Sequence, residues 1–123
     1  MNYSKLDKVF SEWMRRKDAD ENGMVKCCTC PTKLHWKQMD AAHYISRRHL
    51  MTRWYELNVH ACCSECNRFK RGNIPAYETF LADKYGPDIL DELWMLSRTE
   101  AHFTQAEINE MVIYYKDKIK GLD

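Results

Sequence analysis

Two Cys-x-x-Cys pairs, Cys27-x-x-Cys30 and Cys63-x-x-Cys66, lie about 35 residues apart in a chain of 123 residues. A CxxC turn brings two thiolates to one side of a tight knuckle, and two knuckles make a tetrahedral site that suits Zn²⁺. Four thiolates leave such an ion no open position, so its expected work is structural. It would tie a first hairpin to the start of a later helix, a staple from which a small core benefits. Cys28 and Cys62 are left over. Cys28-x-Cys30 and Cys62-x3-Cys66 are alternative clips, but the symmetric pairs are favoured, with the two extras as small buried apolar groups. The opening stretch, MNYSKLDKVF, has no signal-peptide core. No apolar run approaches the roughly 18 residues of a membrane span. A cytoplasmic chain without a membrane role is expected, and disulfides are rare in that compartment. A redox dithiol would need one CxxC and a thioredoxin-like βαβ pattern.

The rest of the chain reads as one α+β domain. Leu6, Val9, Phe10, Trp13 and Met14 recur at helical spacing, predicting an amphipathic helix from Ser4 to about Ala19, stopped by the turn residues of Asp20–Gly23. Residues 1–23 therefore form an N-terminal helix and its stop. Residues 24–73 carry the cysteines: a hairpin to about His35, a strand over Asp40–Ile45, a polar connection over Ser46–Glu56, a strand over Leu57–Cys62 and a short helix from Ser64 to about Arg71. Residues 74–123 read as helices, opened by Pro75, by Pro87 and by a capping box of Thr104 and Glu107.

The segment between the knuckles is the most informative. Asp40-Ala41-Ala42-His43-Tyr44 reads as a strand ending in a histidine. Asn58-Val59-His60 begins the next strand, and Asn67 follows the fourth cysteine at once. His43…Asn58…Cys63-x-x-Cys66-Asn67 resembles the HNH, or ββα-metal, nuclease motif. Two flanking CxxC pairs with an Asn after the last Cys resemble the phage endonuclease VII type of resolvase. The fuller stretches "AAHYISRRHLMTRW" and "LNVHACCSECNRFKRGNIPAYETFLADKYG" are closer still to the lambda NinG (Rap) recombination endonuclease family. That resemblance covers about residues 5 to 86.

The resemblance implies a small ββα-metal (HNH) core with a four-cysteine zinc site, flanked by N-terminal and C-terminal helices. It implies an endonuclease that hydrolyses DNA phosphodiesters to a 5′ phosphate and a 3′ hydroxyl. His43 would be the general base, Asn58 would orient the His43 segment, and Asn67 would bind a catalytic Mg²⁺ or Mn²⁺ through its side-chain carbonyl. One departure stands out: where many HNH enzymes carry a metal-binding Asp directly before the histidine, this chain has Ala42. Asp40 is the nearest acid. Its odd offset from His43 points to the opposite strand face, so a bulge or kink is needed to bring it to the metal. His60 is a second candidate ligand, and Glu65 a weaker one.

Charge completes the reading. The net charge is +1, yet Ser46–Gly72 holds six cations (Arg47, Arg48, Arg53, Arg68, Lys70, Arg71) against Glu56 and Glu65, a local +4. Such a face suits a polyanion. Arg47, Arg48, His49 and Arg53 lie where the resemblance puts DNA, and Arg68, Lys70 and Arg71 extend the patch. Phosphate contacts give affinity without a sequence code, which fits an enzyme that reads branched or junction DNA. A two-strand resolvase would profit from two-fold symmetry, with Trp94, Met95, Tyr114 and Tyr115 as a dimer face or as cover for the chain's own core. Recombination proteins are the expected company. The competing reading is a zinc-knuckle DNA-binding module without catalysis. Trp36 and Trp54 flank the site as packing or stacking residues, and His35 and His102 are bystanders.

Overall fold

A computed structural model describes residues 1–123. The first helix, α1 (Ser4–Arg16), buries Leu6, Phe10 and Met14, one stripe at i, i+4 and i+8. It ends three residues short of the expected Ala19, where the chain turns into the Asp20 loop. There the Asp20 carboxylate accepts from the amides of Asn22 and Met24, both at 2.9 Å. Strands β1 (Met24–Lys26) and β2 (Lys33–His35) form the expected antiparallel hairpin. Gly23 sits at φ +79°, and a Cβ there would meet the His35 ring at 2.5 Å, so this turn requires glycine.

The second ribbon pairs β3 (Met39–His43) with β4 (Val59–Cys63), antiparallel and in regular register from Met39↔Cys63 to His43↔Val59. Both strands fall within a residue or two of expectation. The connection holds a short helix that the sequence does not announce, α2 (Leu50–Arg53), and a tight turn over Glu56–Asn58. The α+β class stands, built on two small two-stranded sheets. The element after β4 departs from an ordinary α-helix. Glu65–Phe69 is a single widened turn, closed by the Lys70 amide on the Glu65 carbonyl (2.9 Å) and followed by the Gly72 amide on the Cys66 carbonyl (2.9 Å). Arg71, Gly72 and Asn73 then all take positive φ.

Helices α3 (Ile74–Tyr85), α4 (Ile89–Ser97) and α5 (Gln105–Lys120) complete the chain. The capping box forms as expected, with the Thr104 hydroxyl accepting from the Glu107 amide and the Glu107 carboxylate from the Thr104 amide. Apolar packing divides around the β3–β4 ribbon. One cluster joins the cysteine knuckles to Tyr77 and Leu81 of α3 and to Ile89 and Leu93 of α4. The other joins Val59 and Trp54 to Leu6, Phe10 and Met14 of α1 and to Ile108, Val112 and Tyr115 of α5. Of the four residues offered as a dimer face, Tyr115 belongs to this second cluster. Trp94, Met95 and Tyr114 are exposed. No helix is long and apolar enough to cross a membrane.

Candidate functional site

The two knuckles meet. The sulfurs of Cys27, Cys30, Cys63 and Cys66 all lie within 4.8 Å of one another. Tetrahedral zinc with bonds near 2.3 Å separates its sulfurs by about 3.8 Å, and the Cys30 and Cys63 sulfurs are 3.7 Å apart. The Cys27 sulfur also accepts backbone amides from Thr29 (3.4 Å) and Cys63 (3.3 Å), while the Cys62 sulfur and burial hold its thiol pKa above the usual value in the absence of an ion. The donor set therefore fits, and these four residues could hold a metal such as zinc. Cys62 is fully buried, 3.6 Å from the Cys27 sulfur and 3.5 Å from the Thr29 hydroxyl. Asn73 braces the cluster from behind, with its amide on the Thr29 carbonyl (3.2 Å) and the Cys66 sulfur (3.7 Å).

Beside this cluster, the widened turn delivers Asn67 to Asp40. The Asn67 Nδ2 donates to the Asp40 carboxylate at 3.1 Å, which leaves the amide oxygen of Asn67 as a free acceptor. The Arg68 guanidinium takes both oxygens of the same carboxylate, at 3.1 and 3.2 Å. No bulge interrupts β3, so the bulge or kink that Asp40 would need to share a face with His43 is absent. Asp40 meets Asn67 without it, because Asn67 comes to the face that Asp40 already presents. As they stand, both oxygens of the Asp40 carboxylate are taken up by Arg68 and by the Asn67 amide nitrogen.

His43 belongs to a different neighbourhood. Three residues along a regular strand place it on the face opposite Asp40. Its Nε2 lies 2.8 Å from the Arg53 carbonyl, so Nε2 carries the proton and Nδ1 keeps its lone pair. Burial pulls the imidazole pKa below the ordinary histidine value, with the Arg53 carbonyl opposing, so the neutral ring prevails at pH 7. Asn58 is fully buried and fastens the segment after His43. Its Oδ1 accepts from the Ile45 amide (2.8 Å), and its Nδ2 donates to the Ile45 and Thr52 carbonyls (both 3.0 Å).

Three expected residues are placed elsewhere. His60, buried at 4% exposure, spends Nδ1 on the Tyr77 hydroxyl (3.0 Å) and Nε2 on the Tyr85 hydroxyl (2.7 Å), which leaves no nitrogen for an ion. Burial, with Lys84 and Lys17 nearby, drives its pKa down to about 3. Arg53 is not a free cation. Asp7 binds its guanidinium at 3.0 and 2.6 Å and also accepts the Trp54 indole N–H at 2.9 Å. Burial alone would raise the Asp7 carboxyl; the bonds from Arg53 and Trp54 outweigh it and bring it below the usual value. His49 faces the Arg98 guanidinium at 3.1–3.2 Å. Arg47, Arg48, Arg68, Lys70 and Arg71 are exposed, while Glu65 is exposed and Trp54 buried. Trp36 is half-buried among Arg15, Arg16 and Lys37. Sequence reasoning misses Asp7, Tyr77 and Tyr85 as polar partners. Helical spacing marks the two tyrosines only as apolar positions of a helix.

Comparison with known proteins covers these same residues. A family model described as Bacteriophage Lambda NinG protein matches residues 2–123. The chain is similar to the Protein ninG of Escherichia phage lambda, of Salmonella phage P22 and of Escherichia phage 933W. Each is 30% identical over 111 residues, 89% of this chain and 52% of the relative. The chain thus spans about half the length of these curated relatives. No solved structure gives a significant match. The chain belongs to the NinG family of phage proteins.

Proposed function

We propose that this chain is a metal-dependent endodeoxyribonuclease of HNH type that acts on branched DNA. The observation that carries the reading is the meeting of Asp40 with Asn67 at 3.1 Å, an acid and an amide next to a four-cysteine cluster. Zinc at the four cysteines would serve as scaffold. Asp40 and the Asn67 amide oxygen would hold a Mg²⁺ or Mn²⁺ ion, which when bound neutralises charge on the phosphoryl oxygen and the departing 3′ oxygen. His43, neutral and held through Nε2, takes at Nδ1 the proton of the attacking water. The P–O3′ bond breaks, the 3′ oxygen gains a proton from solvent, and the phosphate stays on the 5′ end. Asn58 fixes the segment that carries the histidine. Arg47, Arg48, Lys70 and Arg71 grip phosphates, and Arg68 joins them once Asp40 turns to the ion.

A second reading, a DNA-binding module without catalysis, draws on one observation: Asp40 and His43 leave β3 on opposite faces. One experiment separates the two. Wild type and His43→Ala are given single strand, linear duplex, fork, D-loop and four-way junction in Mg²⁺ or Mn²⁺. Nicking of branched substrates that His43→Ala lowers by at least about 100-fold, with DNA binding kept, supports the nuclease. Binding by the wild type with no cutting of any substrate supports the module.

A further inference from the structure

A groove of about 470 Å³ opens beside the two residues that follow His43, and the nuclease reading leaves it unused. Its apolar lining is Ile45, Ile74, Leu90 and Trp94. Its polar lining is Asp91, Arg98 and the pair of Tyr44 with Glu78, whose hydroxyl and carboxylate lie 2.6 Å apart. Trp94 is 55% exposed, unusual for a tryptophan with no partner over it except a cation. That cation is Arg98, whose guanidinium lies 5.0 Å from the indole centroid and reaches the His49 ring at 3.1 Å. Arg47 and Arg48 stand exposed just before His49.

We propose that this groove takes one unpaired nucleobase of a DNA strand whose backbone passes His43; the proposal rests on the nuclease reading. A base has an apolar π-face and a polar edge, and the groove matches both. The exposed indole offers a stacking surface, and Arg98 adds a cation to it. Glu78 and Asp91 offer acceptors for amino or imino groups on the base edge, while Arg98, Arg48 and His49 stand where the attached phosphates would pass. A paired base cannot enter, because its faces are covered by its neighbours in the stack and its edge by its partner. A site of this kind selects DNA with an unpaired nucleotide beside the scissile phosphate, through shape and stacking rather than base sequence. An acidic protein segment, the alternative occupant, would bring its own carboxylates against Glu78 and Asp91, whereas a nucleobase carries no charge into the groove.

The test is binding of a 5′-labelled oligothymidylate and of a blunt duplex of equal length, by anisotropy with no added divalent ion. Trp94→Ala should weaken the single strand about tenfold and the duplex by less than about twofold, and Trp94→Phe should retain most of the affinity. Circular dichroism confirms that the Ala variant is folded. Should it unfold, Trp94→Phe decides, because its emission must lose the quenching that the oligonucleotide causes in wild type. Unchanged affinity for both DNAs in Trp94→Ala, or equal quenching in Trp94→Phe, overturns the groove whatever the enzyme cuts. Trp94-dependent binding in a protein that cuts nothing would overturn the nuclease reading and keep the groove.

Discussion

The Nε2 of His43 lies 2.8 Å from the carbonyl oxygen of Arg53, ten residues on. This bond fixes the tautomer, and the lowered pKa fixes the protonation state near neutrality. A base must be neutral to accept a proton, so the sign follows directly: activity is lost on the acid side only. If the proposed nuclease reading holds, the kcat/KM of cleavage should have its acid limb below the ordinary histidine value and fall toward tenfold per unit beneath it. A profile whose acid limb has its midpoint above the ordinary 6.5 would contradict the burial of this ring.

Asn58 makes three hydrogen bonds with no exposure to solvent. Asn58→Ala strands the Ile45 amide and two carbonyls, and should cost about 2–4 kcal/mol by chemical denaturation. Asn58→Asp keeps the acceptor for Ile45 but sets a carboxylate against two carbonyl oxygens. It should not rescue stability, and a wild-type midpoint in Asn58→Asp would show that the donor half of the amide does little.

These residues also mark what a single sequence carries. The cysteine knuckles, the β1–β2 hairpin and the Thr104–Glu107 cap were legible because each is local, spelled by residues a few positions apart. The partners of the polar groups were not. Asp7 reaches Arg53 across 46 positions, and His60 finds its tyrosines 17 and 25 positions on. Alternation along β3 correctly set Asp40 apart from His43. It said nothing of Asn67, whose approach depends on a widened turn that no periodicity announces.

The Asp7–Arg53 pair predicts a division among the arginines. Arg53 is held by two bonds, of 3.0 and 2.6 Å, in a half-buried site, so Arg53→Ala should lower stability through the charge it leaves on Asp7. The salt dependence of DNA binding should not change. Arg71→Ala, by contrast, should reduce the slope of log K against log salt by about one, with stability intact. Equal slopes for wild type and Arg71→Ala would remove Arg71 from the phosphate face.

Six cysteines, four of them grouped, make metal content a sharp test. Loss of Cys63 or Cys66 should abolish one equivalent of bound zinc and the cooperative melt of the wild type. Cys62→Ala should keep the metal, although its sulfur lies 3.6 Å from Cys27, because four other sulfurs, all within 4.8 Å of one another, supply the four ligands that zinc takes. Retained zinc in Cys63→Ala together with loss in Cys62→Ala would reassign the ligand set.

His60 takes no part in the proposed mechanism, yet its titration bears on stability. The Tyr77 hydroxyl donates to the Ala42 carbonyl at 2.7 Å, so it accepts from Nδ1–H of His60, and the Nε2 lone pair accepts from the Tyr85 hydroxyl. A protonated His60 would present a second N–H to Tyr85, in a site that burial already makes hostile to charge. The folded-state pKa of about 3 therefore lies below the ordinary 6.5. The unfolded chain binds a proton that the folded chain refuses, and stability is lost as pH falls from 6.5 toward 3, by at most about 1.4 kcal/mol per unit. Zinc held at the four cysteines would also be lost at acid pH, so the comparison is with His60→Gln, which keeps the cysteines. Unfolding free energies measured between about pH 7 and pH 4.5 should fall less steeply in the variant. Parallel lines would mean that His60 accepts its proton in the folded protein and that the tyrosine relay to Ala42 is not the arrangement in solution.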